Sequence, residues 1–100
     1  MAYLTIARIS GDPEELLDGY RRSSEAMPAV GRDHGLILHA AARTDEGLMI
    51  VNLWPSKDES EAAATDPRRL GELDRHGLDP TRFSREHHEL EAYEVLSEGG

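Results

Sequence analysis

The chain has 100 residues, with 11 Lys and Arg against 20 Asp and Glu, a formal net charge of −9 and a pI near 4.9. That length supports one domain, residues 1–100, and the acidic balance argues against a nucleic-acid partner, which needs a basic footprint. The absence of cysteine removes disulfides, thiolate nucleophiles and thiolate metal sites together, and no apolar run approaches the roughly 20 residues of a membrane span.

Met1 runs at once into an alternating pattern, so no secretory leader is read and a cytoplasmic setting is expected. Ala2–Ser10 alternates Tyr3/Thr5/Ala7/Ile9 with Leu4/Ile6/Arg8. Both sets are largely apolar, which predicts a central strand covered on two faces. Gly11-Asp12-Pro13-Glu14-Glu15 reads as a helix start: an Asp cap, a proline at the first position, and carboxylates at the positive helix end. Leu16, Leu17, Tyr20 and Met27 share one face of the helix that follows. Pro28 and Gly31 are expected to break it, and Gly35 to turn the chain.

Leu36–Thr44 reads as the second strand, Asp45-Glu46-Gly47 as a hairpin turn, and Leu48–Trp54 as the third and most apolar strand. Pro55 ends it. Ser56 and Glu59 have capping-box spacing, so a second helix is expected from Lys57, interrupted at Asp66-Pro67 and resuming to Arg75. Gly77 and Pro80 mark a loop. Glu89–Leu96 is read as the fourth strand, with Leu90/Ala92 and Tyr93/Val95 spaced by two and a register switch between them. The order β-α-β-β-α-β is the ferredoxin-like arrangement of an α+β fold, a four-stranded antiparallel sheet with both helices on one face. A chain this short has no layer for the other face, so a second copy packing sheet to sheet is the expected cover.

The stretch T-D-E-G-L-M-I-V-N-L-W-P-S-K (Thr44–Lys57) resembles the third strand and W-x-S helix entry of the dimeric α+β barrel superfamily, which includes the antibiotic-biosynthesis monooxygenases. The leading strand, the D-P-E-E-L helix start and Asp66-Pro67-Arg68 fit the same template over about residues 2–96. The resemblance implies a dimeric barrel with a pocket in each protomer between sheet and helices. Some members carry out cofactor-free oxygenation of polycyclic phenols there. In that branch an Asn four residues before the Trp, the Trp itself, and a Tyr and an Arg on the second helix contact substrate. Trp54 matches; the Asn position holds Ile50, the Tyr position Ser60, and the Arg position falls near Leu73 or Asp74. The haem-degrading branch fits less well, since its Asn, Trp and His positions hold Ala7, Ala63 and Leu73.

The residues themselves single out a small set. Asn52 is a polar residue in an apolar strand and shares a face with Ile50. Trp54 either stacks on a flat ligand or plugs the strand-to-helix corner. His39 is the candidate base, placed among Leu38, Ala40 and Ala41. Tyr20 either closes the pocket with its hydroxyl or staples helix to sheet. His87-His88-Glu89 has ligand residue types, but neighbours on a strand face opposite sides, so no metal site is read. His34 and His76 are taken as solvated, and Arg8 is expected to meet a carboxylate across the dimer interface.

The expected protein is thus a homodimer that binds a hydrophobic or aromatic small molecule, with no metal, cofactor, nucleic-acid or membrane partner. Its substrate-binding residues would be Asn52, Trp54, Tyr20 and Ile50. Whether it is an enzyme is left open. If it is, the resemblance implies a cofactor-independent monooxygenase acting on an aromatic or polyketide-like substrate, with His39 taking the proton. The alternatives are a non-catalytic ligand-binding or stress-responsive dimer, and a polyketide cyclase-like protein.

Overall fold

The computed structural model describes residues 2–23, 27–75 and 83–93. In chain order these form β1 (Tyr3–Ser10), α1 (Pro13–Ser23), α2 (Met27–Asp33), β2 (Leu38–Arg43), β3 (Gly47–Trp54), α3 (Lys57–Ala64), α4 (Pro67–Arg75) and β4 (Ser84–Glu89). The sheet is antiparallel with strand order β2-β3-β1-β4. This is the ferredoxin-like arrangement, with β1 and β3 in the centre.

Three local features fix the framework. Asp12 Oδ1 accepts from the Glu14 amide at 3.2 Å and starts α1, and Ser56 Oγ accepts from the Glu59 amide at 3.2 Å and starts α3. At the β2–β3 turn, a side chain at position 47 would collide with the Ile9 carbonyl oxygen, so only glycine lets the hairpin lie against β1. Gly35 sits at φ +75° and ends α2. There the Leu36 amide donates to the Gly31 carbonyl at 2.9 Å and the Gly35 amide to that of Arg32 at 3.1 Å, a Schellman close.

Two expectations about the elements need correction. Pro28 does not terminate a helix. It lies in the first turn of α2, where the missing N–H costs no intrahelical bond. The last strand is Ser84–Glu89 rather than Glu89–Leu96. It lies at the sheet edge with all six residues exposed, so it needs no apolar alternation to join the sheet; it pairs along β1 through its backbone. The Leu90 amide adds one more bond, to Ala2 at 2.9 Å, before the chain leaves the strand. The expected loop at Gly77 and Pro80 and the stretch after Tyr93 lie outside the described residues.

The core forms two clusters on the helical side of the sheet. Ile9, Leu16 and Leu48 are buried with Leu17, Tyr20, Ile50 and Phe83 packed around them. Tyr3, Trp54 and Ala63 are buried together against Leu36. The opposite sheet face carries half-buried Leu4, Met49 and Val51 and exposed Ala40 and Ala42, and no described element covers it. Arg8 is also on this face, where it pairs with Glu86 of its own protomer at 2.6 Å, the carboxylate held below its usual range by that guanidinium.

His34 is not solvated. Its side chain is 19% exposed and stands between Asp66, 3.0 Å from Nε2, and Glu59, 3.4 Å from Nδ1. Arg68 bonds Asp66 at 2.8 Å and Asp33 at 2.7 Å. This cluster ties α2 to α3 and α4. It also fixes the wall facing the sheet.

Candidate functional site

Between sheet and helices lies a cavity of about 390 Å³, within the roughly 300–1,000 Å³ usual for small-molecule sites. Residues of all four helices and of the helix-facing side of the sheet line it. His39, Asn52, Trp54, Tyr20 and Ile50, the residues singled out from the sequence, all line this one space.

Strand register explains how they converge. His39 is the partner of Asn52 on β3, Asn52 of Thr5 on β1, and Thr5 of His87 on β4. Side chains opposite one another in a sheet share a face, so His39, Asn52, Thr5 and His87 make one polar row across the floor. Asn52 Oδ1 lies 2.5 Å from His39 Nδ1. A carbonyl oxygen only accepts, so Nδ1 carries a proton, and in the neutral ring Nε2 is then the acceptor. The Tyr20 hydroxyl, 2.5 Å from Nε2, donates to it, with the two rings stacked at 5.9 Å and 14°. In that tautomer the three side chains form a directed chain, Tyr20 to His39 to Asn52. Burial raises the Tyr20 pKa above that of a free phenol and keeps its proton on oxygen.

Trp54 is 7% exposed, and its indole N–H donates to Thr5 Oγ1 at 3.3 Å. It belongs to the core and to the cavity wall at once. Ser60, at the position where the resemblance places a Tyr, is buried in the wall. His87 and His88 face opposite sides, as strand geometry requires. His87 lines the cavity and packs against Tyr3 at 5.9 Å, while His88 lies 3.6 Å from Glu86 on the other face. Among the described residues no group of three or more His, Asp or Glu is placed to hold a metal ion. No described helix is long and apolar enough to cross a membrane.

Sequence reasoning missed Thr5, His87 and, above all, Arg69 and Arg85 as members of the wall. The helix position expected to carry an arginine falls near Leu73, but Arg69 of α4, one turn earlier, lines the cavity instead. The signal was present, since positions four apart on a helix share a face.

No protein-family model matches the sequence, and neither does any curated protein. Solved structures do match. SnoaB, a cofactor-independent oxygenase from Streptomyces nogalater, is 20% identical over 97% of this chain and 96% of its own, with a TM-score of 0.59. A structure from Deinococcus radiodurans, named as an antibiotic biosynthesis monooxygenase, is 16% identical over 97% and 100%, at 0.69. A dimeric ferredoxin-like protein of unknown function from Thermobifida fusca is 16% identical over 90% and 92%, at 0.65. The chain therefore has a ferredoxin-like fold and resembles in that fold solved structures named as antibiotic biosynthesis monooxygenases.

Proposed function

We propose that the protein binds a flat, phenolic small molecule in this cavity and oxygenates it without a cofactor. The observation that carries the reading is the Tyr20–His39–Asn52 chain opening into an apolar cavity. A neutral imidazole with a fixed tautomer is a base near neutral pH. The substrate hydroxyl donates to Tyr20 Oη as the tyrosine proton passes to His39 Nε2, and Asn52 Oδ1 holds the resulting imidazolium at Nδ1–H. The phenolate, with charge spread onto a ring carbon, then supplies electrons to O₂ at that carbon. A methylene becomes a carbonyl, four electrons pass from carbon to O₂, one oxygen stays in the product, and the other leaves as water. The proton held by His39 returns to the departing hydroxide. Trp54 and Ile50 supply apolar surface for the rings.

The uncovered apolar face opposite the helices supports a homodimer joined sheet to sheet. The Thermobifida fusca protein of the same fold is a dimer. A second reading, a non-catalytic binder, is favoured by Trp54, whose indole N–H is already engaged by Thr5. The two separate on one experiment. Oxygen uptake with an anthrone, measured beside thermal stabilisation by the same compound, gives both signals for an oxygenase and stabilisation alone for a binder.

A further inference from the structure

The charged residues lining this apolar cavity are all cations, inside an acidic protein. Its described lining includes Arg32, Arg69 and Arg85 and no Asp or Glu, although the chain holds 20 carboxylates against 11 Lys and Arg. Elsewhere arginines find carboxylates readily: Arg8 with Glu86 at 2.6 Å, Arg43 with Glu14 at 2.6 Å, Arg68 with Asp33 at 2.7 Å. Among the described residues, none of the three cavity arginines has such a partner.

Arg69 is the most telling of them. It is half-buried, and its Nη1 donates to the Ala64 carbonyl at 3.0 Å. That bond orients the guanidinium without neutralising it. Burial first, and then the charge of Arg85, push its pKa down to about 10. Arg85 lines the same cavity and carries the same charge. Two like charges at the edge of an apolar space are unfavourable alone and become favourable once an anion lies between them. Arg85 is on β4 and His39 on β2, the two edges of the sheet, three strand spacings or about 14 Å apart in backbone terms. The charged end of the cavity is thus remote from the proton-accepting end.

We propose that Arg69 and Arg85 form an anion site, and that the cavity's ligand is a polycyclic aromatic acid with its carboxylate at this site and its phenol at Tyr20 and His39. This rests on the cavity being the ligand site, and it specifies the ligand's charge and polarity along the sheet. Planar guanidinium forks match a planar carboxylate in paired hydrogen bonds.

Trp54 is the chain's single tryptophan and lines the cavity, so its fluorescence reports occupancy directly. The test titrates anthraquinone-2-carboxylate and its methyl ester, of matched ring system but without the charge, at neutral pH and low salt. The acid is expected to bind about 10- to 100-fold tighter, the range of a charged hydrogen-bonded pair. Arg85→Gln and Arg69→Gln should each remove most of that preference, bringing the acid's affinity close to the ester's in the same variant. High salt should narrow the gap between the two compounds. Arg69→Gln also loses the bond to Ala64 and can unfold, so Arg85→Gln on the exposed edge strand is the decisive variant. Equal binding of acid and ester, or an acid preference that survives Arg85→Gln, overturns the anion site and leaves the aromatic cavity standing. If neither compound changes Trp54 fluorescence or the melting temperature, the cavity reading fails with it.

Discussion

Asn52→Ala probes the mechanism at its least obvious residue. The change removes the acceptor 2.5 Å from His39 Nδ1 and leaves Tyr20 bonded to Nε2. One hydrogen bond to a half-buried amide is worth about 1 kcal/mol of stability, and a 100-residue domain loses about 4–8 °C of melting temperature per kcal/mol. The variant should therefore melt a few degrees lower and remain folded. Its chemistry should suffer more. Without Asn52 no acceptor holds the Nδ1–H or supports the imidazolium, and the general-base contribution, about 100- to 10,000-fold, should largely disappear. Asn52→Asp keeps the acceptor and should retain much of the activity. Circular dichroism melts, Trp54 fluorescence for ligand binding and an oxygen electrode measure the three quantities separately. A folded Asn52→Ala protein that binds ligand and consumes oxygen within about threefold of the parent, far inside the span expected for a lost general base, would refute the role given to this residue.

Other perturbations test the framework around the site. Gly47→Ala drives a methyl group into the Ile9 carbonyl oxygen and should cost at least 2 kcal/mol, roughly the middle of the range for overpacking, read as a lower urea midpoint. Asp66 is held well below its ordinary pKa by the Arg68 side chain first and then by His34. Its contribution is therefore complete above the unfolded value of 3.8 and lost as pH falls toward the depressed folded value. Urea midpoints measured down a pH series should fall on acidification in the parent and fall less in Asp66→Asn. Val51→Asp puts a charge on the uncovered sheet face and should convert a dimer to monomer by native mass, with the protomer still folded.

Much of this architecture was legible in the chain because local signals agreed with the global fold. Asp12-Pro13 starts a helix, Gly47 turns a hairpin and Ser56 caps a helix in sequence and structure alike. The edge strand was not legible. Ser84–Glu89 is polar throughout and joins the sheet by backbone pairing with β1, so the more apolar residues after it drew the assignment. Pro28 misled for a related reason, since proline permits a helix start as readily as it enforces a stop. His39, Asn52 and Tyr20 could each be named singly, but their chain of hydrogen bonds depends on strand register, and register is fixed by pairing across the whole sheet. Arg69 and Arg85 lie 16 positions apart on different elements, and their shared cavity follows only from tertiary packing.

The central claim is that this cavity activates a phenol toward O₂ with the chain's own side chains. Its most direct test is oxygen consumption by the purified protein, treated with chelator, on an anthrone in ¹⁸O₂. The account predicts one O₂ consumed per anthrone, one labelled atom in the quinone product and the other in water, and loss of turnover in His39→Ala with ligand binding retained. Anthrone binding that stabilises the protein with no oxygen uptake above the buffer rate would contradict it, and would leave the molecule a binding protein in which Tyr20, His39 and Asn52 serve the fold alone.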